Sequence, residues 1–195
     1  MSSLKRAERT KAEILDSAWD LVAKEGADVS LATIAKAAGI SRQSIYDHFG
    51  SRGGMLIALV RRADDRLSIK DGLFNAFSEK DPHTRLDKTV DVWLDFVKEI
   101  YPVATDLIRL RSTDPDAATA WSDRMSELRA WLLTLTKSFE KDQLLSKGWT
   151  AQSAAEYLWA GISVQSWEQL TIDCGWPEEF ARTHLKQAMS RALLV

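Results

Sequence analysis

The chain has 195 residues, 45% of them hydrophobic and 28% charged, with a net charge of −2. A chain of that size buries roughly 70% of its extended surface, as one large domain or two small ones, and its composition is ordinary for a soluble globular protein. A single cysteine, Cys174, and three scattered histidines exclude an internal disulfide framework and argue against a structural zinc site.

No apolar run approaches the ~18–20 residues of a membrane span, and the first residues form no signal-peptide core. The expectation is a cytoplasmic protein with no membrane partner and no cofactor. The net charge conceals an asymmetry. Residues 1–62 carry +3 and the remainder −5, as when a modestly basic nucleic-acid-binding head joins a body of another kind.

The elements read as helices throughout. Residues 3–24 place Ile14, Leu15, Ala18, Trp19 and Val22 at spacings of three and four, one apolar stripe, with Gly26 as C-terminal cap. The front of this helix, from Leu4 to Lys11, is basic and can lie along a phosphate backbone. Ser30 is a natural N-cap for a helix over 31–38, and Ser41 for one over 42–48.

Within SLATIAKAAGISRQSIYDHF (30–49), Ala35 is small enough for close helix crossing, Gly39 tolerates the positive φ of a tight turn, and Ile45 points inward. Arg42, Gln43, Ser44, Tyr46 and His48 then have polar ends facing outward. A short helix of this kind suits a DNA major groove. Ile34, Ala38, Ile40, Ile45 and Phe49 are assigned to the core of the head.

Gly50 ends the third helix, and Ser51 caps a fourth that runs from Arg52 into the seventies through Met55, Leu56, Leu59, Val60, Ala63 and Leu67. Gly53-Gly54 near its start disfavours helix by up to ~1 kcal/mol per glycine and predicts a loose or late first turn. Pro82 opens a helix striped by Leu86, Val90, Trp93, Leu94, Val97 and Ile100, which Tyr101-Pro102 interrupts before a short helix to Leu110. Asp114-Pro115 starts a long helix through Trp121, Met125, Leu128, Leu132 and Phe139. Thr150 caps a helix over 151–173, and Trp176-Pro177 begins the last. The expected fold is all-α with nine helices, three in a head (residues 1–51) and six in a body (52–195).

The text TKAEILDSAWDLVAKEGADVSLATIAKAAGISRQSIYDHFGSRGGML, with its long first helix ending in Gly, Val-Ser entry, Ile-Tyr-Asp-His-Phe close and following Ser-Arg, resembles the TetR/AcrR family of bacterial transcriptional regulators. Gly53-Gly54 departs from the pattern, which more often has charged helix formers there. The body matches only in helix number and length.

The resemblance implies a helix-turn-helix DNA-binding domain followed by a helical ligand-binding and dimerisation domain. It also implies a homodimer on double-stranded, palindromic operator DNA, acting as a repressor released by a small-molecule effector. The DNA surface would comprise Lys5, Arg6 and Arg9 as an arm, Thr33, Ser41, Tyr46, His48 and Arg52 toward the backbone, and Arg42, Gln43 and Ser44 toward base edges. Asp47 would orient or cap.

The body's aromatic wealth, in a chain with eight tryptophans, suits an aromatic or apolar effector. Trp93, Trp121 and Met125 are the preferred lining, with Phe96, Val97 and Trp159. Arg66, Arg109 and Arg111 are placed to meet an anionic group. The last two long helices carry surplus apolar surface, and Ala154, Leu158, Gly161, Ile162, Phe180, Leu185 and Met189 are assigned to a dimer interface.

Two alternatives stand beside this reading. One is a DNA-binding regulator or adaptor without an effector. The other, an all-helical enzyme, finds no nucleophile–base pair, ligand-spaced His–carboxylate pair or phosphate-cradling loop to support it.

Overall fold

A computed structural model describes residues 2–26 and 29–195, with side chains from Ala7 onward. Among the described residues ten α-helices, against the nine expected, follow one another: α1 (Ser2–Glu25), α2 (Leu31–Ala37), α3 (Arg42–Phe49), α4 (Arg52–Arg66), α5 (Ile69–Phe77), α6 (Pro82–Leu110), α7 (Pro115–Lys141), α8 (Ala151–Gly161), α9 (Val164–Glu168) and α10 (Glu178–Leu193). A π-helical turn, Gln169–Asp173, continues α9. The chain packs as two compact units. One comprises Met1–Leu67 with Ile100–Arg124, the other Ser68–Glu99 with Met125–Val195.

In the first unit α1 packs on α2 and α4, and α3 packs on both α2 and α4. Ile14, Leu15, Ala18 and Val22 of α1 meet a core that includes Ile34, Ala35, Ile45, Met55, Leu56 and Leu59, all buried. Ala38, Ile40 and Phe49, expected in this core, are half-buried, as is Trp19. Gly39 takes φ +67 in the turn between α2 and α3, where Ile40 N–H donates to Ala35 carbonyl at 2.9 Å. That conformation is easily reached only without a Cβ.

Helices α4 and α7 are tied by arginine–aspartate pairs within the first unit. Arg52 pairs with Asp114, Arg61 with Asp123 at 3.0 Å, and Arg124 with Asp64 at 3.0 Å. The first two pairs share a sequence offset of 62 residues, so the two helices run parallel through this contact. Asp64 and Arg124 are 3% and 2% exposed. A buried pair like this is held by mutual attraction against a large desolvation cost, and removing one partner costs about 3–5 kcal/mol.

Gly53 and Gly54 have a packing explanation. The first turn of α4 is formed, with Ser51 Oγ accepting from Gly54 N–H at 2.9 Å, which corrects the expected loose start. A Cβ on Gly53 would lie 2.5 Å from Asp116 Oδ1, and one on Gly54 only 2.2 Å from the backbone oxygen of Phe49. The close approach of the Phe49 carbonyl requires glycine at 54, whereas at 53 the neighbour is the end of an aspartate side chain.

Three boundaries differ from those read in the sequence. The fourth helix stops at Arg66, because Ser68 adopts a left-handed φ of 49° before α5 begins. Pro102 lies inside α6 instead of breaking it. Val103, Ala104 and Leu107, just beyond it, are buried, and that burial offsets the roughly 3 kcal/mol a helix-interior proline costs.

The helix expected over 151–173 is broken at Ile162-Ser163, where Ser163 caps α9 by accepting from Ser166 N–H at 3.1 Å. The carbonyl of Ile162 accepts the indole N–H of Trp93, 1% exposed, at 2.8 Å. Among the described residues the only β-type pairing is an isolated bridge between Leu145 and Leu194.

The two glycines should respond differently to alanine. Gly53→Ala displaces only the mobile end of an aspartate and gains helix propensity, so its thermal midpoint should stay near the parent's. Gly54→Ala pushes against a backbone carbonyl and should lower stability by about 1–3 kcal/mol, read by circular-dichroism melting.

Candidate nucleic-acid interface

The outward surface of α2 and α3 is built by two serine caps. Ser30 Oγ accepts from Thr33 N–H at 3.1 Å and lies 2.8 Å from Thr33 Oγ1. Ser41 Oγ accepts from Ser44 N–H at 3.1 Å and lies 3.0 Å from Ser44 Oγ. Each cap satisfies an amide that the first helical turn leaves without an intrahelical partner. The cap on α3 also fixes where its first residues, Arg42, Gln43 and Ser44, begin.

With Ile45 fully buried, the rest of α3 is oriented. Arg42 and Gln43 are exposed, whereas Ser44, Tyr46 and His48 are half-buried. Arg42 Nη2 donates to Tyr46 Oη at 3.1 Å and its guanidinium lies 5.6 Å from the Tyr46 ring centroid. Gln43 Nε2 donates to Asp47 Oδ1 at 3.0 Å. Both are i,i+4 pairs, so the long side chains are held along one face of α3. Asp47 therefore sits where an orienting residue would. His48 lies 6.1 Å from the Phe49 ring, and Lys11 Nζ lies 5.4 Å from that ring's centroid.

The expected sites outside α3 fare differently. Arg9 is exposed and pairs loosely with Glu13 at 3.5 Å. Lys5 and Arg6 are on α1, and their side chains lie outside the described residues. Arg52 lies at the start of α4 but is only 22% exposed, its Nη1 donating to Asp114 Oδ2. The other Asp114 oxygen accepts from Asp116 N–H at 2.9 Å and Ala117 N–H at 3.3 Å, capping α7.

Burial alone pushes the Asp114 carboxyl up, but the Ala117 amide and the Arg52 guanidinium outweigh it and hold the group below the usual carboxylate range. With the folded value below the unfolded one, its stabilisation is complete above the ordinary carboxylate range. It is lost as pH falls through the lowered folded value. Nothing near Arg52 in sequence signals this partner.

The residues expected to line a ligand pocket divide between the units. Arg66 and Trp121 belong to the first, and Trp93, Phe96, Val97, Met125 and Trp159 to the second. Arg66 is exposed and pairs with Asp16 at 3.9 Å. Trp93 packs on Phe96 with ring centroids 5.4 Å apart, and Val97 is fully buried beside them in sequence. Trp159 lies under the Arg129 guanidinium, 4.9 Å from its ring centroid. Arg109 pairs with Asp106 at 3.2 Å, and Arg111 is exposed.

Most of the expected dimer residues are buried within the chain. Ala154, Leu158, Ile162 and Met189 are 0–2% exposed within their own unit, and a Cβ on Gly161 would lie 2.3 Å from Met189 Cε. These residues pack α8 against α10 inside the chain. Leu185 is half-buried, leaving Phe180, 46% exposed, as the one fully surface residue of that set.

The outer faces of the same helices present other residues. Tyr157 is 38% exposed and stacks on Trp149, centroids 5.1 Å apart. Phe180 stacks on His184 at 3.9 Å, and Trp176 meets Phe180 edge-on at 4.9 Å. Helix α10 is anchored to α6 by Arg182, which bonds Asp91 at 3.1 Å and Asp95 at 2.6 Å, and by Lys186, which bonds Asp91 at 2.9 Å.

The cap gives a direct test of how α3 is placed. Ser41→Ala should cost about 1 kcal/mol in a melting experiment, while Ser41→Asp, which keeps a capping oxygen, should melt near the parent.

Residues 14–59 match the family model described as bacterial regulatory proteins, tetR family. Over 66 residues the chain is 41% identical to the HTH-type transcriptional regulator AlkX of Mycobacterium tuberculosis, a match that spans only 31% of each chain. Among solved structures, the whole chain is similar to a TetR-family regulator from Rhodococcus sp. (TM-score 0.79, 17% identity, 95% of this chain and 99% of that one). It is also similar to a transcriptional regulator from Saccharomonospora viridis in complex with choline (TM-score 0.75, 21% identity, 96% and 99%). The fatty acid degradation regulator FadR of Bacillus halodurans gives a TM-score of 0.75 at 16% identity, covering 92% of this chain and 94% of that one. At these identities the structural likenesses speak for the fold. These relatives are transcriptional regulators rather than enzymes.

Proposed function

We propose that this chain, a member of the TetR family of bacterial regulatory proteins through its N-terminal domain, is a cytoplasmic transcription regulator that binds operator DNA and releases it in response to a small molecule. The observation that carries the reading is the outer face of α3. Arg42 and Gln43 are exposed there, with Ser44, Tyr46 and His48 half-buried, on a helix whose start is capped by Ser41 and whose buried side is anchored by Ile45.

In this reading Arg42 and Gln43 meet base edges. Tyr46, His48, Thr33 and Ser41 meet the backbone, and Lys5, Arg6 and Arg9 form an arm along it. The reading head ends near residue 51, and the rest of the chain senses and dimerises.

The dimer proposed here uses the exposed outer faces of α8 and α10, centred on Tyr157, Phe180 and His184. Two copies would set their recognition helices about one DNA turn apart, matching a palindromic operator. The effector is proposed to be a small aromatic or apolar molecule recognised in the second unit among Trp93, Phe96, Val97, Met125 and Trp159. Its binding would change the spacing of the two reading heads, so the liganded dimer no longer fits the half-site separation. Repression is the action expected of such a protein.

Selection of bound duplexes from a random pool should return a palindrome, and no enrichment would refute the reading. Gln43→Ala should relax preference at one base position by about 1–3 kcal/mol, measured against operator variants. Tyr46→Ala should weaken binding to all sequences alike and flatten the salt dependence. Phe180→Glu with Tyr157→Glu should convert a dimer to monomers in sedimentation equilibrium and lose operator binding. A dimer that survives both substitutions would place the interface elsewhere.

A further inference from the structure

The start of α4 holds an arginine and the positive end of a helix, a combination that attracts anions. In this chain two carboxylates of the same unit are already there. Asp114 bonds Arg52, and Asp116 lies so close to Gly53 that a Cβ would come within 2.5 Å of its Oδ1. The two oxygens of Asp114 have separate tasks, since Oδ1 caps α7 through the amides of Asp116 and Ala117 while Oδ2 takes the guanidinium. The arginine and aspartate side chains are 22% and 23% exposed. Charge attraction is therefore less screened than on an open surface.

We propose that Asp114 is a positioning residue for DNA binding, its carboxylate standing in for a backbone phosphate at Arg52. DNA contact by Arg52 then requires exchange of one anion for another. The inference rests on the DNA-binding reading above. Before DNA arrives, Arg52 is held by the start of α7; when phosphate takes it, Asp114 keeps its cap but loses its charge partner. The first turn of α4, which follows the recognition helix after two residues, thereby reports to the start of α7. The Asp114 carboxyl is held below the usual carboxylate range by the α7 amides and Arg52 against the upward push of burial. The competition therefore persists across the physiological range.

Asparagine separates the two tasks, because its side-chain oxygen caps a helix about as well as aspartate but carries no charge. Asp114→Asn should bind the selected operator and random duplex more tightly by a common factor of about three to ten. The slope of log affinity against log salt should steepen by roughly one phosphate per protomer, about 0.9. In an Arg52→Ala background the same substitution should do nothing.

Melting curves check that Asp114→Asn keeps the fold, and Asp114→Ser, a second uncharged cap, repeats the measurement should it not. Unchanged or weaker DNA binding, an unaltered salt slope, or a gain that persists without Arg52 would overturn the proposal. A parent chain that binds DNA while Asp114→Asn makes no difference refutes this inference alone. Failure of parent and variant together to bind any duplex removes the DNA-binding reading as well.

Discussion

One carboxylate sits where two helices begin. Asp114 closes the amide end of α7 with one oxygen and holds Arg52 at the head of α4 with the other. Further along the same contact, Arg61 meets Asp123 and Asp64 meets Arg124. The Asp64–Arg124 pair is almost wholly buried, and buried charges cost several kcal/mol each to desolvate unless they meet. Sliding α4 by one turn along α7 would separate all three pairs and leave the buried one unsatisfied. The register of α4 is thus strongly specified. Because α3 ends two residues before α4 starts, the position of the α3 outer face inherits that register.

The parts of the fold legible in the sequence are those specified locally. Ser30, Ser41 and Ser51 act as N-caps where residue type and spacing place them, and Gly39 takes the positive φ that its turn position demands. Periodic apolar residues gave the helix faces, because a stripe at spacings of three and four has one face to bury. What the sequence hid is tertiary. Ser68 enters left-handed backbone without being glycine or asparagine, so nothing in its type marks the break after α4. Pro102 reads as an interruption, yet the buried residues beyond it keep α6 in one piece. The break at Ile162-Ser163 carried a signal, a serine with a second serine three positions on, but the apolar residues on either side of it, Ile162 and Val164, masked it.

The same division runs through the candidate site. The outer face of α3 was legible because it is the complement of Ile45 on a short helix. The engagement of Arg52 was not, since its partner lies 62 residues away. On α8 and α10 the surplus of apolar residues suggested an interface, but apolar residues at core spacing first satisfy the chain's own interior. Ala154, Leu158, Ile162 and Met189 do so. Of the outward residues, Tyr157 and His184 carry a polar group on an aromatic ring, the type that tolerates both water and a partner, and Phe180 packs its apolar ring against Trp176 and His184. Trp93 teaches a related lesson. A tryptophan on a body helix reads as ligand wall, and here its N–H also satisfies the carbonyl left by the end of α8.

Gly53 and Gly54 look like a weak point in a helix when read alone. Their neighbours reverse that reading. A charged helix former at 53 would need a Cβ where Asp116 Oδ1 stands, and any side chain at 54 would strike the Phe49 carbonyl. The glycines and the acidic start of α7 are therefore matched. Glycine at 53 leaves room for the start of α7, where Asp114 reaches Arg52, and the resulting ion pair supplies order that glycine withholds from the first turn. A hinge would need those glycines to be free of close neighbours. Here each has one, Asp116 at Gly53 and the Phe49 carbonyl at Gly54, and the Arg52–Asp114 pair lies beside them.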